Sequence, residues 1–238
     1  MMDESMPEAP DDRSFQEFLE ESGGRFTDWL RERSEPEWTA AVHHPFTDEL
    51  GRNELDRERF AEYLVQDLDF VDTLVGAFGY LIGQVDTMET RSRVAQFLAT
   101  VTSDENDYFE RSLDALDVSQ ERLANTEPNR VNAEFQSFLE DTVEECSLDT
   151  TLAVLLPVEW VYAAWAKEVS GQQPEPFYFQ EWIDLHHNPA FNDFVNYLRE
   201  RMDDIGPQLS PERQETVAER FTQAVEYEVA FFDAVYGA

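Results

Sequence analysis

Residues 152–166 read LAVLLPVEWVYAAWA, and Glu159 carries the one formal charge among these fifteen positions. A stretch this apolar predicts a helix that is buried on nearly every face. Pro157 removes one backbone hydrogen bond from that helix and predicts a kink. Because a buried, unpaired carboxylate costs several kcal/mol or keeps its proton, Glu159 is expected to face a polar pocket.

The charge balance of the 238-residue chain restricts its partners. Asp and Glu number 52 against 17 Lys and Arg, the net charge is −35 at pH 7, and Lys167 is the only lysine. Nucleic acids and anionic membranes are bound by basic patches, and none is visible, so we expect neither partner. Such acidity indicates a halophilic protein in a salt-rich cytoplasm, where counterions screen the self-repulsion.

The hydropathy of the chain, its acidic start and its single cysteine indicate the cellular compartment. No apolar run reaches the roughly 20 residues that span a bilayer, and the acidic start is unlike a signal peptide, so we expect a cytoplasmic protein. Cys146 alone cannot form an intramolecular disulfide.

Residues 1–24 are predicted to be an acidic, partly disordered N-terminal extension, and residues 25–238 the helical domain. Within the extension, Ser14 is expected to cap a short helix that docks through its apolar residues, Phe15, Phe18 and Leu19.

Helical periodicity runs through nearly every segment from Arg25 onward, and sustained apolar–polar alternation is absent. The fold class is therefore predicted to be all-α, without internal repeats. The expected helices are 25–42, 55–83, 86–103, 105–115, 129–145, 149–170, 188–204 and 210–236.

Two further acids occupy apolar helix faces. Asp67 lies in the middle of the apolar stripe of helix 55–83, whereas Gln66 is expected on its solvated side. Glu228 lies on the inner face of the last helix, and Glu226 on the outer face. Each acid alone could be a structural hydrogen-bonding group. Three inward carboxylates on three helices, with aromatic neighbours, instead indicate a pocket for a small, flat, cationic or protonatable ligand.

The histidines give weaker signals. His44 precedes Pro45 at a helix boundary and is expected to cap or pack. His186 follows Trp182 by one helical turn and is either a pocket residue or a surface histidine. Only one Asp/His pair has i, i+3 spacing, whereas a di-iron bundle needs several, so no metal site is predicted.

Six segments of the chain form an ordered set: Trp38, His44-Pro45-Phe46, RFAEYLVQDLDF at 59–70, LLPVEWVY at 155–162, WIDLH at 182–186 and EYEVAFFDAVY at 226–236. Together these segments resemble the TenA/thiaminase II family over about residues 26–236. That resemblance implies a haem-oxygenase-like up-and-down bundle of about seven to eight helices, usually assembled as a tetramer, with a dimer as the alternative. It also implies cofactor-free hydrolysis of thiamin or its aminopyrimidine breakdown products.

The resemblance also implies roles for individual residues. Asp67 stands where the family's pyrimidine-gripping aspartate does, Glu228 matches its C-terminal glutamate, and Tyr162 its tyrosine one turn after the nucleophile. The family's cysteine nucleophile falls at Val158 and is missing. The adjacent Glu159 is similar to the signature of the cysteine-less branch.

Three more positions depart from the family pattern, because Phe70, Phe135 and His186 replace tyrosines. Ring stacking is retained at the two phenylalanines, and hydroxyl groups are lost. Cys146 lies twelve residues too early to replace the missing nucleophile. Thiamin cleavage is therefore expected to be absent or slow.

A hydrolytic mechanism can be assigned to these residues as a hypothesis. Glu228 would protonate a ring nitrogen and Asp67 would accept a hydrogen bond from the 4-amino group. Glu159, helped by Tyr162, would act as general base on water or as the nucleophile itself. The chain is thus predicted to be an aminopyrimidine aminohydrolase of thiamin salvage.

Two other readings stay open at this point. A non-catalytic pyrimidine-binding or regulatory protein would keep the grip on the ring without turnover. A metal- or haem-dependent oxidase on the same fold would use Asp67, Glu159, Glu228 and His186 as ligands, although the histidines are few and poorly spaced.

Overall fold

The computed structural model of the protein describes residues 13–145 and 147–237, and all regular structure within them is helical. The predicted all-α class is confirmed. Eight of the helices described have ten or more residues, and seven of these eight correspond to helices predicted from the sequence. The α-helices are α1 Phe15–Ser22, α2 Phe26–Arg33, α3 Glu37–Val42, α4 Pro45–Gly51, α5 Arg57–Gln84, α6 Met88–Thr100, α7 Asn106–Ala115, α8 Gln120–Asn125, α9 Arg130–Glu144, α10 Leu148–Val169, α11 Phe177–His186, α12 Pro189–Ile205 and α13 Pro211–Ala234.

The predicted boundaries fail where short helices meet. The single helix expected over 25–42 is two helices, α2 and α3, because Pro36 lacks a backbone N–H and disfavours helical geometry at the residue before it. The short helices α4 and α8, and α11, were not predicted. The helix expected over 86–103 ends at Thr100, and the chain continues as a π-helix, Val101–Glu105.

Helix α1 begins with the predicted cap. The Ser14 hydroxyl accepts a hydrogen bond from the Glu17 N–H, and the Glu17 carboxylate accepts one from the Ser14 N–H at 2.9 Å. Phe15 and Phe18 are buried, but Leu19 is 46% exposed, so the expectation that Leu19 docks is wrong. Residues 1–12, where disorder was expected, lie outside the described residues, as does Cys146.

Helix α10 is the central element and packs against α5, α9, α11, α12 and α13. This position explains the apolar sequence of residues 152–166, since neighbours cover the helix on nearly every side. The helix continues through Pro157 as one element. Within the described residues, no helix combines the length and apolarity needed to cross a bilayer.

Two polar side chains show how the helices are joined. Gln66, expected on the solvated side of α5, is instead buried, because its side-chain oxygen accepts hydrogen bonds from the Asn129 N–H at 2.8 Å and the Asn132 amide at 3.2 Å. His44 caps α4 as predicted. Its Nδ1 accepts from the Phe46 N–H at 3.1 Å, so Nε2 carries the proton and faces Asp233 at 3.1 Å.

Candidate active site

A cavity of about 580 Å³ lies between α5, α6, the π-helix, α10, α11 and α12. Its size is within the usual range of small-molecule sites. Of the seven residues predicted to form a site, five line it: Asp67, Phe70, Glu159, Tyr162 and His186. The other two, Phe135 and Glu228, are buried and do not line it.

Asp67 projects from α5 into this cavity and is 4% exposed. Burial raises the pKa of its carboxyl group well above the ordinary range, and the nearby charge of Glu105 raises it further. A hydrogen bond from Tyr63, one helical turn earlier, acts in the opposite direction. The Tyr63 hydroxyl oxygen also lies 2.6 Å from that of Tyr162, which links Asp67 to α10.

Glu159 reaches the cavity from α10 and is 5% exposed. Its Oε1 atom is buried without a hydrogen-bond partner in the described structure. Burial, followed by the charges of Glu105 and Asp67, raises the pKa of Glu159 well above normal. Its neighbour Val158 also lines the cavity. An aliphatic side chain therefore occupies the position at which the resemblance implies a nucleophile.

Glu228 projects from α13 and is almost completely buried. Its Oε1 is likewise without a partner in the residues described. Burial raises the pKa of Glu228 strongly, and the charges of Asp67 and Glu159 add to this effect. The structure therefore brings the three acids within electrostatic range of one another. No arginine or lysine of residues 13–145 and 147–237 forms an ion pair with any of them.

The two predicted stacking residues lie at different depths. Phe70 lines the cavity, whereas Phe135 packs behind it with ring centroids 4.6 Å apart. Phe135 in turn stacks on Tyr227 at 5.0 Å. Phe70 can therefore contact a ligand ring directly, and Phe135 fixes the position of Phe70.

His186 is a buried cavity residue and not a surface histidine. Its Nδ1 donates a hydrogen bond to the Trp182 carbonyl at 2.8 Å, which leaves Nε2 as an acceptor. Burial lowers the pKa of His186 to about 4, so the ring is neutral at pH 7. The ring lies 4.8 Å from that of Tyr162.

Sequence reasoning missed a fourth acid, Glu105, which ends the π-helix and lines the cavity. Burial raises the pKa of Glu105 to about 7. A signal for it exists in the sequence, because Glu105 follows Val101 by four residues and precedes Tyr108 and Phe109 by three and four. All three are buried apolar residues. The criterion that found Asp67 also applies to Glu105.

At another part of its wall the cavity is more polar. Arg93 from α6 lines it, with the guanidinium carbon 4.8 Å from the Tyr197 ring centroid. Asn188 and Asp193, at the start of α12, line the cavity as well. Among the described residues, no group of three or more His, Cys, Asp or Glu side chains is placed to hold a metal ion.

Comparison with known proteins gives consistent sequence matches. A model of the TENA/THI-4/PQQC family matches residues 31–238. An aminopyrimidine aminohydrolase from Halalkalibacterium halodurans is 25% identical over 210 residues, which cover 87% of this chain and 93% of that protein. An aminopyrimidine aminohydrolase from Helicobacter pylori is 23% identical over 211 residues, which cover 87% of this chain and 97% of that protein.

Solved structures share the fold. A TenA family transcription regulator from Silicibacter sp. superposes with a TM-score of 0.81 at 23% identity, over 92% of this chain and 100% of that one. A TenA homologue from P. horikoshii superposes with a TM-score of 0.80 at 23% identity, over 90% of this chain and 99% of that one. These likenesses confirm the expected all-α, haem-oxygenase-like fold.

Proposed function

This chain belongs to the TENA/THI-4/PQQC family, and we propose that it is an aminopyrimidine aminohydrolase, a hydrolase that cleaves an exocyclic C–N bond of thiamin-related pyrimidines. The observation that carries the proposal is a set of three buried acids within electrostatic range of one another and without a cationic partner in the described structure: Asp67 and Glu159, which line the cavity, and Glu228. Neighbouring carboxyl groups in a buried site cannot all be ionised unless a cation binds among them.

An aminopyrimidine supplies the hydrogen-bond donors and the positive charge that these acids lack. Its 4-amino group donates hydrogen bonds, its ring nitrogen accepts a proton, and an aminomethyl substituent carries a positive charge at pH 7. Asp67 would accept from the 4-amino group and fix the orientation of the ring. Phe70 would stack on the ring face, backed by Phe135, and the free Nε2 of His186 would accept a further hydrogen bond.

Proton transfer is assigned to the two remaining acids. Glu228, whose pKa is raised by burial and by the charges of Asp67 and Glu159, would donate a proton to a ring nitrogen and make the ring easier to attack. Glu159 would act as general base on the attacking water, since a cationic substrate nearby lowers its raised pKa and populates the carboxylate. Tyr162, held by Tyr63, would orient that water.

Val158 limits the substrates. An isopropyl side chain cannot form the covalent adduct that a cysteine would, so the water route through Glu159 has to suffice. We therefore propose that free aminopyrimidines are the substrates, and that thiamin is cleaved slowly or not at all.

The cellular setting is proposed from the composition. A net charge of −35 favours a salt-rich cytoplasm and disfavours nucleic acid as a partner. A homo-oligomer, a tetramer or a dimer, would reduce the charged surface that each subunit presents to solvent. Light scattering of the protein in molar KCl measures its mass directly, and a monomer there would refute this assembly.

A product assay tests the proposed activity. The purified protein in molar KCl is incubated with 4-amino-5-aminomethyl-2-methylpyrimidine, its N-formyl derivative and thiamin, and released ammonia, formamide, hydroxymethylpyrimidine and thiazole are quantified. We expect ammonia and hydroxymethylpyrimidine from the first compound. Binding of hydroxymethylpyrimidine without any turnover would favour a binding protein instead. A Soret band or stoichiometric iron would favour an oxidase.

A further inference from the structure

The cavity has a closed end and a mouth, which the solvent exposure of its lining residues distinguishes. Asp67, Glu159 and Trp182 line the closed end, and each of them is at most 5% exposed. Exposed lining residues occur on α6 and at the start of α12, and Arg93 and Asp193 are two of them. A ligand that reaches the buried acids from solvent therefore passes between α6 and α12.

A row of rings runs along the cavity from the closed end to the mouth. The Tyr162 ring centroid lies 4.8 Å from that of His186, which in turn lies 5.2 Å from that of Phe191. The Phe191 centroid lies 6.4 Å from that of Phe97, and Phe97 stacks on Phe194 at 4.0 Å. All five rings line the cavity, so the row leads from α10 to the contact between α6 and α12.

Arg93 and Tyr197 continue this row at the mouth. Arg93 precedes Phe97 by one turn of α6, and Tyr197 follows Phe194 by three residues on α12. The guanidinium carbon of Arg93 lies 4.8 Å from the Tyr197 ring centroid, and both side chains line the cavity. Since one helical turn rises about 5.4 Å, the pair lies about that distance beyond the stacked phenylalanines.

The polar groups of this pair have no partner within the described residues. The Arg93 side chain forms neither an ion pair nor a hydrogen bond there, although most arginines of this acidic chain are paired. Even Asp193, which lines the same cavity one turn before Tyr197, is not paired with it. Tyr197 is 9% exposed, and its hydroxyl is buried without a hydrogen-bond partner. Among the described lining residues, Arg93 is also the only cation.

An oxyanion would satisfy both groups at once. A guanidinium presents parallel N–H donors that match two oxygens of a carboxylate or a phosphate, and a tyrosine hydroxyl can donate one more hydrogen bond. The cavity also has room for such a group. Its volume of about 580 Å³ is in the range of sites for drug-sized ligands, whereas an aminomethylpyrimidine has only about ten non-hydrogen atoms.

We propose that Arg93 and Tyr197 form an anion subsite for a negatively charged group on the leaving amine of the substrate, an inference that rests on the proposed function. Because buried side chains wall the closed end, a long substituent on a pyrimidine held by Asp67 can extend only along the row of rings. The leaving amine can carry this substituent without altering the groups of the ring that the acids bind. The substrate class is an N-acyl aminomethylpyrimidine whose acyl chain ends in a carboxylate or a phosphate.

Calorimetric titration with ligands that cannot be hydrolysed tests the subsite. In these ligands a carbon chain of varied length joins C5 of 4-amino-2-methylpyrimidine to a carboxylate, a phosphonate or an uncharged carboxamide. The wild type, R93Q, Y197F and the control R130Q are compared in molar KCl. Arg130 is an exposed arginine of α9 outside the cavity, so R130Q removes the same charge elsewhere. Y197F removes only an unpaired hydroxyl and retains the ring on which Arg93 packs, so this variant should fold normally.

We expect the wild type, at one chain length or more, to bind an anionic ligand about tenfold more tightly than the matching carboxamide. This is the lower end for a hydrogen bond to a charged group, because salt screens the hydrated mouth. R93Q should lose the preference, Y197F should weaken it, and R130Q should retain it. A stronger effect of phosphonate than of carboxylate supports the subsite and identifies phosphate as its anion. A preference that survives in R93Q, or none at any length, overturns the subsite.

Binding of 4-amino-5-hydroxymethyl-2-methylpyrimidine separates this result from the proposed function. All four proteins should bind this uncharged compound equally, since it does not reach the mouth. If the wild type binds it but shows no preference for anions, only the subsite fails. If the wild type does not bind it at all, the proposed function fails.

Turnover shows whether the subsite serves the leaving group. Amide release is measured for the N-acyl aminomethylpyrimidine with the best anionic chain and for its uncharged counterpart. We expect the wild type to favour the anionic compound about tenfold in kcat/KM, mainly through a lower KM, and R93Q to lose this advantage. Equal kcat/KM of the wild type for the two compounds contradicts the assignment of the anion to the leaving amine.

Discussion

The hydroxyl oxygens of Tyr63 and Tyr162 lie 2.6 Å apart and join α5 to α10 by a buried hydrogen bond. Asp67 follows Tyr63 by one helical turn, and Glu159 precedes Tyr162 by three residues. A single contact thus fixes the relative position of the two helices that carry these acids. It also gives Tyr162 a defined orientation within the cavity wall.

Replacing Tyr63 by phenylalanine should affect both stability and binding. Y63F leaves the Tyr162 hydroxyl without this partner and should lower the free energy of unfolding by about 1–3 kcal/mol. It also removes the hydrogen bond that lowers the pKa of Asp67, so that pKa should rise further. Denaturant unfolding of Y63F and of Y80F, which alters an exposed tyrosine on the same helix, measures the first effect. Equal stability of the two variants would show that the tyrosine pair contributes nothing.

Replacing Glu228 by glutamine should remove the ring acid. We expect E228Q to release ammonia from 4-amino-5-aminomethyl-2-methylpyrimidine about 10²–10⁴-fold more slowly than the wild type. E226Q changes an exposed glutamate on the same helix and should leave the rate unaltered. Full activity of E228Q would remove Glu228 from the mechanism.

The ligand-free protein should become more stable as the pH falls from 8 to 6. The pKa of Glu105 is about 7 in the folded protein and about 4.5 in the unfolded chain, so between these values the folded state binds more protons. Stability therefore decreases as the pH rises through this window. Thermal unfolding of the wild type and E105Q at pH 6 and pH 8 should give the smaller pH-dependent difference in Tm for E105Q. An identical difference would contradict the pKa assigned to Glu105.

Stability should also increase with salt. The net charge of −35 produces self-repulsion, and the screening length falls from about 10 Å at 0.1 M salt to about 3 Å at 1 M. We expect Tm to be higher in molar KCl than in dilute buffer. A Tm that does not change between these solutions would refute halophilic adaptation.

Much of the fold could be predicted because long helices leave a strong periodic pattern. The apolar faces of α5, α10 and α13 identified Asp67, Glu159 and Glu228 as inward-facing, and all three are buried in the structure. Periodicity does not reveal which neighbour covers the edge of a stripe. Gln66 was therefore misplaced, since its burial depends on α9, which is distant in sequence.

The details that escaped prediction have local causes. Phe135 was expected to touch the ligand, but periodicity cannot distinguish the layer that lines a cavity from the layer behind it. Glu105 lies where α6 passes into a π-helix, and this change of register interrupted the helix pattern read from the sequence. Helix α11 begins directly after Pro176, and its sequence FYFQEWIDLH places apolar residues next to one another, so that no single apolar face stands out.

Calorimetric titration with 4-amino-5-hydroxymethyl-2-methylpyrimidine tests most directly whether the buried acids hold a pyrimidine. The wild type, D67A and D72A are compared in molar KCl; Asp72 is an exposed acid on the same helix. We expect D72A to bind like the wild type and D67A to bind about 10- to 100-fold more weakly, because a hydrogen bond to a charged group contributes about 1.5–3 kcal/mol. Equal affinity of D67A and the wild type would contradict the account.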